Sequence, residues 1–156
     1  MNIIIKRILT ENIDRGLNLI WKVFQKYVAP YYTKEGIDFF NSTYIDGERF
    51  RNKIKNGEEI MFGAFVQNEL VGVLILSCNN TVSCAFVDGK YHRMGIGKAL
   101  FEMVISELKQ RGEKELKLNA SPYAIGFYHA LGFEDMDVQS DYNGILYTPM
   151  ILNLSK

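Results

Sequence analysis

The stretch that decides the fold of this chain is Tyr91-His92-Arg93-Met94-Gly95-Ile96-Gly97-Lys98-Ala99-Leu100. It follows a β-branched and aromatic run and opens a segment with apolar residues at helical spacing, so two glycines stand where a helix is predicted to begin. The first turn of a helix leaves backbone N–H groups without partners, and glycine lets an anion approach them without meeting a Cβ. With Arg93 and Lys98 beside them, these glycines predict a phosphate site.

The glycine spacing excludes two common nucleotide sites. A P-loop needs four residues between its glycines and then Gly-Lys-Ser/Thr, whereas Ala99 follows Gly97-Lys98 here. A dinucleotide fingerprint needs a third glycine at position 100, where the chain has Leu100. The sequence therefore disfavours a nucleotide-dependent kinase or dehydrogenase.

A second informative segment lies further along the chain. It runs Leu116-Lys117-Leu118-Asn119-Ala120-Ser121-Pro122 and continues as Ala124-Ile125-Gly126-Phe127-Tyr128-His129-Ala130-Leu131-Gly132-Phe133. The first part predicts a strand that ends in a small polar turn, and the second predicts a short helix that ends at Gly132.

Together the two segments resemble motifs A and B of the GNAT superfamily, the Gcn5-related N-acetyltransferases. Motif A reads Gln/Arg-x-x-Gly-x-Gly/Ala, and His92 stands where Gln or Arg is usual. Motif B carries Phe-Tyr-x-x-Leu-Gly-Phe, which begins here at Phe127. The resemblance covers residues 81–133 in recognisable motif, and from about residue 60 onward in topology.

The resemblance implies transfer of an acetyl group from acetyl-CoA to a primary amine by direct attack in a ternary complex. It assigns the thioester carbonyl to backbone N–H groups of Phe86 and Val87, and the pantetheine arm to Asn119. Tyr128 is implied as the general acid for the departing thiolate, because an ordinary phenol is protonated at neutral pH. The residues implied to bind the cofactor are Phe86, Val87, His92, Arg93, Met94, Gly95, Ile96, Gly97, Lys98, Asn119 and Tyr128.

No general base is predicted. Many family members carry an acidic residue on the strand that here reads Ser83-Cys84-Ala85-Phe86-Val87, which has none. Asp88 precedes Gly89 and has the character of a turn residue. His129 is rotated about 100° around its helix from Tyr128, so the two cannot both face the cofactor.

The elements form one series without a linker, repeat or low-complexity segment, which predicts a single domain over residues 1–156. Strands are predicted at residues 3–9, 59–66, 70–77, 81–87, 114–119, 133–139 and 145–152. Helices are predicted from Thr10 or Asn12 to about Tyr27 and at residues 34–41, 95–111 and 122–131. The fold class is α+β with a mixed, mostly antiparallel sheet, and the resemblance implies that its central strands splay to form a CoA cleft.

Aromatic residues crowd the segment between Tyr27 and Phe50. Packing against the sheet explains most of them, but Tyr31 and Tyr32 follow Pro30 in a predicted loop, where rings with polar tips can line a substrate pocket. A non-catalytic CoA-binding module, or an interaction domain that uses this aromatic half, remains an alternative to an enzyme.

The chain balances 18 Lys and Arg against 18 Asp and Glu, so no net field favours nucleic acid or a membrane surface. Its start lacks the features of a signal peptide, and cytoplasm is the expected location. Cys78 and Cys84 fit no metal motif and are predicted to be a reduced, buried pair. The expected partners are a small-molecule or peptide amine acceptor and, through the last strands, a second copy in a homodimer; no metal is implied.

Overall fold

A mixed sheet with helices on both faces forms the computed structural model, which describes residues 1–155. The strands are β1 (Ile4–Arg7), β2 (Glu59–Val66), β3 (Glu69–Ser77), β4 (Thr81–Val87), β5 (Glu115–Ala120), β6 (Glu134–Asp135), β7 (Ser140–Tyr142) and β8 (Ile145–Asn153). The helices are α1 (Ile13–Tyr27), α2 (Lys34–Phe40), α3 (Glu48–Asn56), α4 (Ile96–Gln110) and α5 (Ile125–Leu131). Within the described residues, no helix is both long and apolar enough to cross a bilayer.

The sheet order is β1-β2-β3-β4-β5-β8-β6, with β7 pairing only with β8. All the pairs are antiparallel except β4 with β5. These two parallel strands pair only at Thr81 with Lys117 and Val82 with Leu118, while β4 continues beside β3 as far as Val87. The central strands therefore splay, which confirms the predicted fold class.

A register shift in β4 marks the point where the strands separate. Ile75 of β3 lies opposite Cys84 and Leu76 lies opposite Val82, so Ser83 is an additional residue on β4. Such a bulge bends its strand and redirects the following side chains. In this chain it lies at the beginning of the open cleft.

Two apolar layers cover the sheet. Helices α1, α2 and α3 pack on one face together with Met61, Val73 and Ile75. Helix α4 packs on the other face, and its predicted stripe is confirmed, with Ile105 partly buried and the following residues fully buried: Leu100, Phe101, Val104 and Leu108. The site is therefore held between two rigid layers.

Helix α3 was absent from the sequence prediction. Only Phe50 and Ile54 of this nine-residue helix are buried apolar residues, and they stand among charged neighbours. Two apolar positions one turn apart give too short a period to recognise. Helix α2 also continues directly into a π-helical turn, Asn41–Ile45, which the sequence did not indicate.

The predicted strand at residues 133–139 was too long. Strand β6 ends at Asp135, and the Met136 N–H still donates to the Pro149 carbonyl at 2.7 Å. Proline has no N–H to complete the pair, so the ladder stops there.

The cysteine prediction was half right. Cys84 is buried opposite Ile75, as expected from the register, and both thiols are free. Cys78 is exposed, because it lies in the β3–β4 turn, where Asn80 has a φ of 61°. The predicted burial of Cys78 was therefore wrong.

Candidate active site

A cleft of about 910 Å³ opens where β4 and β5 separate. Pockets that hold small ligands fall in this range of volume. The beginning of α4 forms one end, called here the glycine end. The other end, called the aromatic end, is lined by residues Tyr32, Phe39, Phe40, Thr43, Tyr44, Tyr142, Ile145 and Tyr147.

The glycine end presents unpaired backbone donors. Gly95 has a φ of 86°, and the first helical bond of α4 runs from the Ala99 N–H to the Gly95 carbonyl at 3.0 Å. The N–H groups of the first turn before Ala99 therefore have no partner within the helix. A Cβ at Gly97 would lie 3.0 Å from Cζ of Phe127, so a larger residue here would press on that ring.

The predicted phosphate residues are placed as follows. Arg93, Gly95, Ile96, Gly97 and Lys98 line the cleft. The Met94 side chain is 53% exposed and does not line the cleft.

His92 also lines the cleft, but its ring is engaged with the protein. Nε2 lies 2.7 Å from the Val87 carbonyl and Nδ1 lies 3.3 Å from the Tyr123 hydroxyl. A carbonyl can only accept, so Nε2 carries the proton and Nδ1 accepts from the tyrosine. The ring ties β4 to the turn before α5, so both nitrogens of this implied cofactor residue already have partners in the protein.

The free amides of β4 follow from its pairing with β3. The Asp88 N–H donates to the Val71 carbonyl at 2.8 Å, and the register pairs Phe86 with Val73. Because bonded and non-bonded pairs alternate in an antiparallel ladder, the Phe86 amide faces β3 while the Val87 amide faces the open side. Phe86 therefore lines the cleft with its side chain only, and the sequence was wrong to assign its N–H to a ligand.

Asp88 has the turn role expected from the sequence. Its carboxylate accepts from the Lys90 N–H at 3.0 Å and from the Lys22 Nζ at 3.3 Å. The bond from the Lys90 backbone is the largest of the effects that lower the pKa of Asp88. This buried carboxylate anchors the approach to the glycine end.

Tyr128 lies in the wall of the cleft and is 8% exposed. Its ring packs edge-on against Phe101 and Phe133, with centroids 5.5 and 5.6 Å away. Burial raises the pKa of its hydroxyl above the ordinary phenol value, with a smaller contribution from Cys84. His129 bonds Asp135 at 2.7 Å and does not line the cleft, as its rotation around the helix predicted.

Asn119 lies near the end of β5, where its exposed side chain also lines the cleft.

The rings of Tyr31 and Tyr32 have different environments. Tyr32 lines the cleft, whereas Tyr31 is 47% exposed and lies outside it.

A buried carboxylate escaped the sequence analysis. Ser83, which lines the cleft, donates its hydroxyl to Glu59 Oε1 at 2.5 Å, and Glu59 is only 6% exposed. Burial raises the pKa of Glu59, although the Ser83 bond and the Lys53 charge oppose this effect. The available signal was a glutamate as the first residue of the apolar strand Glu59–Val66.

Two glycines bring the β7–β8 hairpin against α2 at the aromatic end. The Thr33 N–H donates to the Gly144 carbonyl at 3.2 Å, and a Cβ on Gly36 would collide with the Gly144 backbone. Beside this contact the Phe39 and Tyr142 rings meet edge to face at 5.6 Å. The β7–β8 hairpin is therefore held against α2, in a contact called here the clasp.

Comparisons with known proteins agree with this geometry. An uncharacterized N-acetyltransferase of Methanocaldococcus jannaschii is 27% identical over 147 residues, which are 86% of this chain and 62% of that protein. The ribosomal protein bS18-alanine N-acetyltransferase of Escherichia coli is 39% identical over 59 residues, or 36% of this chain and 40% of that protein. The chain thus spans less than two thirds of the length of either relative.

A crystal structure of the PaiA N-acetyltransferase of Thermoplasma acidophilum in complex with coenzyme A has the same fold. It matches with a TM-score of 0.79 at 20% identity, over 98% of this chain and 99% of that one. The acetyltransferase (GNAT) domain family matches residues 28–154. A match of that extent covers both ends of the cleft, and the chain belongs to the GNAT family of acetyltransferases.

Proposed function

We propose that this chain transfers an acetyl group from acetyl-CoA to a primary amine. The observation that carries the proposal is one cleft that joins the edge of β4, where the Val87 N–H is free, to the unpaired first turn of α4. An extended chain with amide groups can pair with the strand edge, and a pyrophosphate can bind the helix start. Few ligands combine both features, and coenzyme A is one of them.

The residues of the glycine end fit the phosphate part of acetyl-CoA. The N–H groups of Ile96, Gly97 and Lys98 are the donors, and Arg93 adds a positive charge. In this proposal the Asn119 side chain and the Val87 N–H bind the pantetheine arm, the Val87 N–H at its thioester carbonyl. Bound acetyl-CoA supplies an activated thioester carbonyl and a thiol leaving group.

Tyr128 holds the proton that the leaving sulfur needs. A phenol with a raised pKa is a weaker acid than a thiol in water, whose pKa is near 8.5. Burial that raises the pKa of the phenol also disfavours a free thiolate in the same cleft, so the departing sulfur gains from a neutral donor beside it.

Ser83 and Glu59 give the amine a route for losing its proton. The amine proton passes to Ser83 Oγ while the Ser83 proton passes to Glu59 Oε1, and the short bond between them is already formed. The serine stays neutral throughout, and the carboxylate becomes the acid. This relay takes the place of the acidic residue that β4 lacks.

Thermal unfolding with and without acetyl-CoA tests the proposal. A ligand at a hundred times its dissociation constant adds about 2.7 kcal/mol, and each kcal/mol raises Tm by roughly 2–4 °C in a protein of this size. Gly97→Glu should abolish the shift, because its side chain fills the phosphate site. Gly126→Glu is the matched control, since a Cβ there meets nothing within 4 Å.

Three outcomes distinguish a transferase, a non-catalytic CoA-binding module and an interaction domain. A shift that Gly97→Glu removes, followed by amine-dependent thiol release, supports the transferase. A shift without thiol release from any amine favours a non-catalytic CoA-binding module. A folded wild type that shows no shift contradicts both and favours an interaction domain.

A further inference from the structure

We infer that the acceptor is a small monoamine on an apolar or aromatic body, and that it binds at the aromatic end of the cleft. This inference rests on the proposed acetyl transfer and names the substrate class of that same site. Its basis is the composition, rigidity and closure of the aromatic end.

The first argument is the distribution of charge along the cleft. Among residues 1–155, no aspartate or glutamate lines it, and its Lys and Arg residues, Arg93 and Lys98, both lie at the glycine end. An acceptor with several ammonium groups would have to lose water from each charge without a carboxylate to replace it. The aromatic end therefore disfavours polyamines and aminoglycosides.

The second argument is that the wall of the aromatic end is neutral and already packed. Burial is the main cause that raises the pKa of Tyr32 and of Tyr44 to about 12, so both phenols are neutral at physiological pH. The Phe40 ring stacks on Phe24 at 3.9 Å and meets Tyr44 at 5.0 Å. Rings already packed in this way form an apolar wall that loses little entropy when a ligand binds.

The third argument is that one positive charge can still be accommodated. Glu59 accepts a hydrogen bond from Ser83, which lines the cleft, so its carboxylate is connected to the cleft through that hydroxyl. A single ammonium can also lie against a tyrosine face. One charge is thus matched by one carboxylate, and a second charge finds no carboxylate among the lining residues.

The fourth argument is size. The clasp between Gly36 and Gly144 brings the hairpin onto α2, and Phe39 meets Tyr142 beside it. The hairpin bounds this end of the cleft, which favours a small amine over an extended peptide.

Acetyl transfer to matched amines tests the inference, with thiol release as the assay. Butylamine and putrescine differ only by a second ammonium group, and phenethylamine adds an aromatic body. We expect kcat/KM for butylamine to exceed that for putrescine by about tenfold or more, and phenethylamine to be the best of the three. The reverse order would overturn the inference, as would a peptide with an N-terminal alanine that outperforms phenethylamine.

Variants locate the effect within the cleft. Phe39→Ala and Tyr142→Ala should each raise KM for phenethylamine about tenfold and leave the Kd for CoA unchanged. Tyr31→Ala is the control, because this neighbouring ring lies outside the cleft. Unchanged KM values in both cleft variants would overturn the inference.

Calorimetry keeps the test decisive if turnover is too slow to measure. Phenethylamine should bind the CoA-saturated protein more tightly than putrescine does, and equal or reversed affinities would contradict the inference. Failure of the proposed function is distinguishable, because acetyl-CoA would then give no thermal shift, or would give one without thiol release from any amine and without binding of phenethylamine to the CoA-saturated protein.

Discussion

The two ends of the cleft bind ligand with different parts of the chain. At the glycine end the donors are backbone N–H groups, and two glycines close together in sequence keep the space before them clear. At the aromatic end the wall consists of side chains from α2, the π-helical turn and the β7–β8 hairpin. Backbone N–H groups are the same whatever side chains the chain carries, so a site built from them keeps the same ligand. A site built from side chains can change its specificity by substitution. This contrast predicts which variants affect CoA and which affect the amine.

Tyr128→Phe should have the largest effect, because this residue lies between the two ends. Loss of the hydroxyl should lower kcat by roughly 10²–10³. The ring packing against Phe101 and Phe133 is retained, so the Kd for CoA should not change. Steady-state kinetics and calorimetry measure the two quantities. Tyr31→Phe is the control, and a Tyr128→Phe variant with normal kcat would remove the proposed proton donor.

Glu59→Gln should lower kcat/KM at neutral pH by roughly 10–100-fold and change the pH profile. The base acts only when ionised, and burial raises the pKa of Glu59. In the wild type kcat at saturating amine should therefore fall with decreasing pH, starting above the ordinary glutamate range, and this limb should vanish in Glu59→Gln. Ser83→Ala should reproduce the loss and Ser83→Thr should restore activity. An unchanged acid limb in Glu59→Gln would exclude the relay.

The same residue predicts an opposite effect on stability. A folded-state pKa above the unfolded value means that Glu59 favours folding at low pH and loses this contribution as pH rises through the folded pKa. Glu59→Gln, which stays neutral, should therefore gain stability over the wild type at pH 7 and lose that advantage near pH 4. Thermal unfolding at the two pH values measures it. A variant less stable at pH 7 would contradict the assigned cost of burial.

Gly36→Ala tests the clasp on the aromatic end. The added methyl group meets the Gly144 backbone, which must move. We expect a loss of about 1–3 kcal/mol in stability and a severalfold higher KM for the amine. The Kd for CoA should stay constant, and Gly126→Ala is the control in open space. A changed Kd for CoA with unchanged KM would show that the two ends are not independent.

Asp88→Asn should have the smallest effect, at the glycine end. The loss of charge-assisted bonds to Lys90 and Lys22 should cost about 1 kcal/mol at pH 7. Because the folded pKa of Asp88 is lowered, its stabilisation is present above the unfolded value near 3.9 and disappears as pH falls through the folded pKa. Denaturant unfolding should show a difference in stability between wild type and Asp88→Asn at pH 7 that disappears below pH 3. A difference in stability that stays constant with pH would show that the effect does not come from the Asp88 charge.

The sequence predicted the beginning of α4 because the information for it is local. Gly95 and Gly97 precede an apolar stripe at helical spacing, and the rotation of His129 away from Tyr128 follows from helix geometry alone. The position of β4 beside the glycines also follows from chain order. No long-range contact was needed for any of these predictions.

The rest of the site could not be predicted from the sequence, because it depends on strand register and on contacts between segments far apart in the chain. The bulge at Ser83 and the alternation of bonded pairs decide that the Val87 amide, and not the Phe86 amide, faces the cleft. Glu59 lies 24 residues before the serine it bonds. The partners of Phe39 and Gly36 are more than a hundred positions away, at Tyr142 and Gly144.

A crystal structure of the chain with CoA tests the central claim most directly. The account predicts the pyrophosphate within hydrogen-bond distance of the N–H groups of Ile96, Gly97 and Lys98. It also predicts the pantetheine arm paired with the Val87 amide, and the aromatic end left open for an amine. CoA bound across the aromatic residues, or away from α4, would contradict it.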